Sequence, residues 1–395
     1  MWVKSDRIYT EDGLCGGYLS VQEGRFAGVS DTADGEYEDY GNLRILPGIF
    51  DTHNHGTQGY SLLGDAGEDP MVHVRGFLKG CAAQGVTSVF PTAEENMIAS
   101  VARAAKEPIM GAEIVGIHSE GPWLNRTGEK GIWVPWPEVS LERAKQIVSD
   151  ADGLLKLVAL APEIEGIDPI IEYFLSQGIA IAYAHSDLNY EGATRAYKEK
   201  GLSVATHTGN VMTGMHHRDI GGLGASLLGD GVYCEVICDG MHICLDMLRV
   251  YFKLKDPSQF MMVSDCTPFS GAPAGTYPDV FMGFTITVTP EGFVLSETGR
   301  LLGSSQPVIY GMGNLVEKLH MPMETVSRMA SLNPCRKYGI DDVKGSISDG
   351  KQADFIVITD DYKVVATYVK GVKVYDSKTE PDVFNTRYWE KKFNS

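Results

Sequence analysis

Eight short apolar runs recur through the middle of the chain, at residues 45–50, 86–90, 114–117, 155–160, 179–184, 202–205, 232–237 and 260–263. The stretches between them carry helical signals. Between the first two, Asp69-Pro70 reads as an N-cap followed by proline in the first turn, and Val74, Phe77, Leu78 and Cys81 form a stripe that Gly85 ends. Eight such strand-helix repeats read most simply as a parallel (β/α)8 barrel, with a doubly wound sheet as the competing arrangement. The two ends of the chain read differently. Residues 1–45 suggest short alternating strands with turns at Glu23-Gly24 and Ala33-Asp34-Gly35. The pattern resumes from Gly345, with an apolar run at 354–358 and a hairpin over 367–375 about Lys370-Gly371. The expectation is an α/β chain: a TIM-like barrel over residues 46–344 and a small β-sandwich domain built from residues 1–45 and 345–395. A β-hairpin at 283–295 is expected to interrupt the end of the barrel, before helices at about 306–319 and 323–332.

Residues able to bind metal or move protons fall just after these runs. His53 and His55 close the first, in Asp51-Thr52-His53-Asn54-His55-Gly56. Strand residues two apart point the same way, and neutral imidazole nitrogen suits zinc and iron. The third run is followed by His118-Ser119-Glu120-Gly121-Pro122, the fifth by His185-Ser186-Asp187 and the sixth by His207. Asp239-Gly240-Met241-His242 follows the seventh, and Ser264-Asp265 the eighth. A lone histidine is usually a satisfied imidazole, and a lone aspartate after a strand is usually a helix cap. Their recurrence at one end of successive strands, where barrel enzymes build their sites, points instead to a shared centre.

Composition excludes several classes. A net charge of −18 disfavours nucleic acid or an anionic membrane as partner, since both demand a basic footprint. No apolar run approaches the length of a bilayer span, and Asp6, Glu11 and Asp12 sit where a signal peptide would be apolar, so a cytoplasmic protein is expected. Seven cysteines, an odd number with no Cys-x-x-Cys pair, read as reduced thiols, and Cys234, Cys238 and Cys244 as core.

On the segments 118–124, 205–225, 239–242, 264–277 and 299–304, the chain resembles the amidohydrolase superfamily, and within it the branch that deacetylates N-acetylglucosamine 6-phosphate. The resemblance spans about residues 46–354. It implies that Glu120, His185 and His207 hold a principal divalent metal, Zn2+ or alternatively Fe2+, and that His53 and His55 permit a second beside Glu120 without assuring it. Most of the superfamily bridges two metals with a carboxylated lysine; Glu120 standing in its place argues against a hydantoinase or dihydroorotase. Asp265 matches the catalytic aspartate, which takes a proton from water and gives it to the departing amine. His242 matches a sugar contact, and Asn210, Val211 and Arg218 match phosphate-binding positions, with Arg218 reaching across a homodimer interface. Guanidinium recognition of phosphate fits that role in an otherwise acidic chain. The implied substrate is a small phosphorylated amino sugar.

One departure stands out. The branch carries Lys-Gly-x-His after this glutamate, its histidine polarising the carbonyl under attack, whereas the chain reads Lys130-Gly131-Ile132-Trp133. An indole N–H donates one hydrogen bond and carries no charge. Three readings stay open: a second metal supplies the polarisation, His216 or His217 substitutes, or the substrate is another N-acyl sugar or a cyclic amide. A binding protein on a catalytically dead barrel is the rival from another class. Trp133, Trp136 and Trp123 also make this loop aromatic, which suits either a sugar face or simple loop packing.

Overall fold

The computed structural model describes residues 1–64, 69–126, 136–278, 285–380 and 385. Parallel strands form its centre. Ile49–Asn54, Val86–Pro91 and Glu113–Ile114 make one group, and Ile117–Glu120, Leu155–Leu160, Ala180–Tyr183, Val204–Ala205, Tyr233–Val236 and Phe260–Met262 make a second. Glu113–Ile114 and Ile117–Glu120 are two halves of one interrupted run, and a parallel bridge between Thr92 and His118 joins the groups there. At the far side, the Asp265 amide donates to the His53 carbonyl at 2.8 Å and the His55 amide to the Cys266 carbonyl at 2.9 Å, tying the last strand back to the first. Helices alternate with these strands, giving a TIM-barrel-like α/β fold with a second domain. The helix Pro70–Ala83 forms as its sequence predicts: Asp69 accepts from the Met71 amide at 3.0 Å, and Val74, Phe77, Leu78 and Cys81 turn inward.

Asp51 strengthens the closing seam. Its carboxylate accepts from the Ser264 hydroxyl at 2.6 Å and the Ser264 amide at 3.1 Å, and from the Asn54 amide group at 3.1 Å. Burial pushes this carboxyl up to about 6, although every one of those donors favours the charged form.

The second domain is a sheet drawn from both ends of the chain, in the order Val372–Asp376, Val364–Val369, Phe355–Ile358, Arg44–Pro47, Trp2–Thr10, Gly13–Gln22 and Arg25–Ser30. Trp2–Thr10 has three partners, pairing Tyr37–Asp39 with its first half and Arg44–Pro47 with its second. Val3, Ile8, Leu19, Phe26, Phe355 and Tyr368 fill the interior of this layer. The expected turns are present: Glu23 and Gly24 have φ of 50° and 74°, and Lys370 and Gly371 have φ of 51° and 71°, the paired positive values of tight hairpins. The run at 45–50 is split by the structure. Its first part pairs with Phe355–Ile358 in the terminal sheet, and the barrel strand begins only at Ile49, because Pro47-Gly48 turns the chain between two layers.

Residues 275–295 contribute a three-stranded antiparallel sheet, Gly275–Pro278, Thr285–Val288 and Val294–Leu295, one strand more than the expected hairpin. The cysteines are all free; Cys234 and Cys238 are buried as expected, but Cys244 is exposed because it caps the surface helix Leu245–Leu254 instead of joining the core. No helix among the described residues is long and apolar enough to cross a membrane.

Lys344 fastens the two layers together. Its ammonium donates to Glu113 at 2.5 Å, Asp354 at 2.6 Å and Ser88 at 3.0 Å, linking two barrel strands to the entrance of the terminal sheet. Burial would raise the Glu113 carboxyl, but Lys344 outweighs it and holds it at about 2. A depressed carboxylate contributes stability that is present above its ordinary value of 4.5 and is lost as pH falls toward about 2. Lys344→Met is therefore expected to lower unfolding stability at neutral pH by about 3 kcal/mol, because buried Asp354 loses its cation and half-buried Glu113 is left with Lys370 alone. It should also flatten the loss of stability between about pH 4.5 and 2, read from denaturant midpoints across that range. A variant with the parent's acid limb would remove Lys344 from this role.

Candidate metal centre

The strands deliver their side chains to one end of the barrel. Glu120 ends its strand, His185 and His207 follow theirs by two residues, and Asp265 follows Phe260–Met262 by three. His185, His207 and Asp265 have φ of 46°, 29° and 51°, a left-handed conformation that non-glycine residues rarely adopt. Such strain at three strand ends is kept only where the surrounding structure enforces it.

Glu120 Oε1 lies 3.1 Å from both His185 Nε2 and His207 Nε2, and those two nitrogens are 3.1 Å apart. The arrangement of protons shows what this triangle is for. His185 Nδ1 is 2.7 Å from the Arg126 carbonyl, which can only accept, so Nδ1 carries the hydrogen and the neutral ring presents a lone pair at Nε2. That lone pair faces a carboxylate oxygen and a second imidazole nitrogen. Donor atoms so close together repel unless a cation sits among them, and one carboxylate with two imidazoles is a donor set that leaves a zinc-like ion an open position.

The other oxygen of Glu120 serves a second group. Oε2 lies 2.9 Å from His55 Nε2 and 3.5 Å from His53 Nε2. The two histidine nitrogens are 3.2 Å apart, with Asp265 Oδ1 at 3.4 and 3.5 Å from them. His53, His55 and Asp265 thus make a second cluster of metal-ligating atoms, with Glu120 between the two. Burial alone would lower the His53 pKa, yet Asp265 and Glu120 raise it well above the imidazole range. Burial likewise acts to raise Glu120, and the surrounding histidines pull it well below the carboxylate range. Both shifts say that this pocket calls for positive charge.

Supporting contacts orient these ligands. The His185 carbonyl accepts from the Asn125 and Arg126 amides at 3.1 and 3.3 Å, and Arg126 pairs with Asp187 at 2.7 Å. The loop leaving Glu120 is thereby fastened to a histidine of the centre. His242 Nδ1 is 2.6 Å from Asp239, which also accepts from the Met241 and His242 amides. Burial lowers the His242 pKa, but Asp239 and Asp265 raise it above the ordinary value, so Asp265 is close enough to be felt.

The substrate-contact residues expected from the sequence are less gathered. Asn210 donates to the His207 carbonyl at 3.1 Å, placing it beside the centre, and Val211 has φ of 47°, an outlier for a β-branched residue. Arg218 is exposed, with His217, Asn189 and Tyr190 around an open cleft of about 340 Å³, and no contact links it to the metal cluster of its own chain. The rings of His216 and His217 lie 4.0 Å apart in that same loop, tilted by 46°. Trp133 lies outside the described residues. Trp123 packs in the core near Phe174, which removes it from any sugar-facing role, and Trp136 is half-buried against a core cluster.

Two supporting residues have no role assigned to them by the sequence. Glu235 is fully buried in Tyr233–Val236 and contacts His53 and Thr52. His118 is also buried, its ring 4.6 Å from that of His53; the Thr92 hydroxyl accepts from the Asn54 amide at 2.9 Å and lies 3.1 Å from His118 Nδ1. Burial holds His118 well below the ordinary pKa, hence neutral. The one available signal was a charged residue inside an otherwise apolar strand candidate.

Comparison with known proteins followed the same lines. A family model described as "Amidohydrolase family" matches residues 44–374. The chain is 31% identical to an N-acetylglucosamine-6-phosphate deacetylase of Vibrio furnissii over 349 residues, 86% of this chain and 85% of the relative. It is 27% identical to an N-acetylgalactosamine-6-phosphate deacetylase of Escherichia coli O157:H7, covering 93% and 98% of the two. The solved structure of N-acetylglucosamine-6-phosphate deacetylase from Thermotoga maritima superimposes with a TM-score of 0.78 at 27% identity, covering 95% of this chain and all of that one.

Proposed function

The chain belongs to the amidohydrolase family, and from that premise we propose that it hydrolyses the acetamide of N-acetylglucosamine 6-phosphate to glucosamine 6-phosphate and acetate. The observation that carries this reading is the triangle of Glu120, His185 and His207 donor atoms at 3.1 Å, with the His185 proton committed elsewhere. We read the centre as holding zinc, with Fe2+ the alternative, and as having room for two ions. Mixed imidazole and carboxylate ligands support that choice. Cations bound there would acidify water toward neutrality and polarise the acyl carbonyl, the second effect standing in for the histidine that Trp133 replaces.

The rest is work for the chain's own residues. Asp265 is held by backbone hydrogen bonds from its amide to His53 and to its carbonyl from Ser304, which leaves its carboxylate aimed at the cluster. We assign it the proton taken from water, which it returns to the amine nitrogen as the C–N bond breaks. Amines leave poorly unless protonated, so this return commits the reaction. His242, oriented by Asp239, would contact the sugar. Asn210 and the strained turn at Val211 would offer donors to the phosphate, and Arg218 would reach it from a second copy in a homodimer; its exposed position is consistent with that.

We also read the parallel strands as a closed (β/α)8 barrel, beginning at Ile49 rather than at 46 and running to 344, and the terminal sheet as a β-sandwich of 1–47 and 345–395. The seam bonds between first and last strands and the three-partnered strand Trp2–Thr10 support this.

A turnover panel tests the reading. Phosphorylated N-acetylglucosamine and N-acetylgalactosamine are compared with their unphosphorylated forms, the second sugar being included because one relative acts on it by name. The phosphorylated glucosamine derivative should be the better substrate. Arg218→Ala should raise KM at least about tenfold for the phosphorylated sugar, the loss of one charge-assisted contact, and leave the free sugar unaffected. No acetate from any member would sink the function, and equal effects on both forms would remove Arg218 from phosphate binding.

A further inference from the structure

Glu120 and His185 come from strands that are not neighbours. Between Ile117–Glu120 and Ala180–Tyr183 lies Leu155–Leu160, paired in parallel with both, and none of its residues belongs to either cluster of ligating atoms. The strand runs out into Ala161-Pro162-Glu163. There the half-buried Glu163 carboxylate accepts three hydrogen bonds, all from the loops on either side of it. Its Oε1 takes the Asn125 side-chain amide and the Asp187 backbone amide, each at 2.8 Å, and its Oε2 takes the buried Ser186 hydroxyl at 2.8 Å. Asn125 lies on the segment leaving Glu120, and Ser186 and Asp187 directly follow His185. One side chain thus ties together the exits of two ligand-bearing strands.

The consequence falls on His185. The Asn125 and Arg126 amides donate to its carbonyl, and the Arg126 carbonyl accepts from its Nδ1 at 2.7 Å, which leaves the Nε2 lone pair facing Glu120. That arrangement lasts only while residues 125–126 stay beside 185. The ion pair of Arg126 with Asp187 also spans the two segments, but it is exposed on both sides and such pairs hold weakly; hydrogen bonds to a carboxylate hold better. We propose that Glu163 is a positioning residue: it clamps residues 125–126 to 186–187 and so fixes the tautomer and direction of His185 for the ion that Glu120, His185 and His207 would hold. This rests on the metal-hydrolase reading and deepens it. The role is one of geometry, not of charge. Glutamine can fill most of it, its carbonyl accepting from Asn125 and Asp187 while its amide donates to Ser186 Oγ, and alanine fills none of it.

Two measurements on the full chain test this, neither of them turnover. After dialysis against zinc buffered with a chelator, elemental analysis of Glu163→Ala should show the tightest-bound zinc weakened about 10- to 100-fold, the usual cost of losing a residue that orients a ligand. Glu163→Gln should recover most of that loss. In zinc-free protein, amide hydrogen exchange in peptides covering 121–126 and 185–188 should run about fivefold faster in Glu163→Ala, as the net loss of one hydrogen bond requires. A staple with no bearing on the centre would speed that exchange and leave zinc affinity alone. Should Glu163→Ala not fold, Asn125→Ala, an exposed change that removes one of the three bonds, should move both readouts the same way by less, and it then decides alone. Zinc affinity unchanged in these variants, or glutamine no better than alanine, would overturn the proposal. A native protein that retains no zinc and releases no acetate would remove the underlying reading as well.

Discussion

Glutamine in place of Glu120 is expected to leave the protein unable to retain a cation on either side of its pocket and to cut acetate release by at least about a thousandfold. Each oxygen of Glu120 serves a different group: Oε1 is 3.1 Å from His185 and His207, and Oε2 is 2.9 Å from His55. An amide keeps one oxygen and offers N–H groups where the other was, turning a donor atom toward a cation into a repelling one. Charge stabilisation by a bound metal is worth several kcal/mol, and each 1.36 kcal/mol is tenfold in rate. The imidazoles would be left without their shared counter-charge, so the protein should also bind zinc only at far higher free concentration. Elemental analysis beside an acetate assay reads both quantities. Retention of two ions with near-native turnover would mean that Glu120 is not the shared ligand.

Asp265→Asn separates proton transfer from metal binding. General acid–base catalysis contributes about 10²- to 10⁴-fold, and asparagine can neither accept the water proton nor deliver it. Acetate release should fall by that amount, while the ion held by Glu120, His185 and His207 stays. Because Asp265 Oδ1 also lies 3.4 Å from His53 Nε2, some weakening on the second side is expected as well. The pH–rate profile is the sharper diagnostic: the limb on which the native enzyme gains rate as its base ionises should vanish. Unchanged turnover would take the proton-carrying role away from Asp265.

Much of this centre could be read from the chain because barrels place chemistry at strand ends, and His53, His55, Glu120, His185, His207 and Asp265 all follow apolar runs. What escaped reading did so for identifiable reasons. Glu235 lies inside a strand, and its one signal, an acid in an apolar run, does not say that it faces the centre. The carbonyl of Arg126 fixes the His185 tautomer, and a backbone atom leaves no trace in residue type. Trp123 matched an aromatic loop by sequence neighbourhood, but its ring turns into the core. The first barrel strand was merged with Arg44–Pro47 because both are apolar, and only the pairing with Phe355–Ile358 assigns the latter to the other layer. Arg218 forms no ion pair among the described residues, so nothing within the chain marks its role.

The seam between the first and last barrel strands also orders how the protein comes into being. During synthesis, Glu120, His185 and His207 have all emerged well before Asp265, whereas the cluster containing His53 and His55 waits for the last strand to dock. A growing polypeptide that ends before residue 265 lacks the carboxylate that lies 3.4 Å from His53 Nε2, so the second cluster of ligating atoms comes together only once the last parallel strand has met the first.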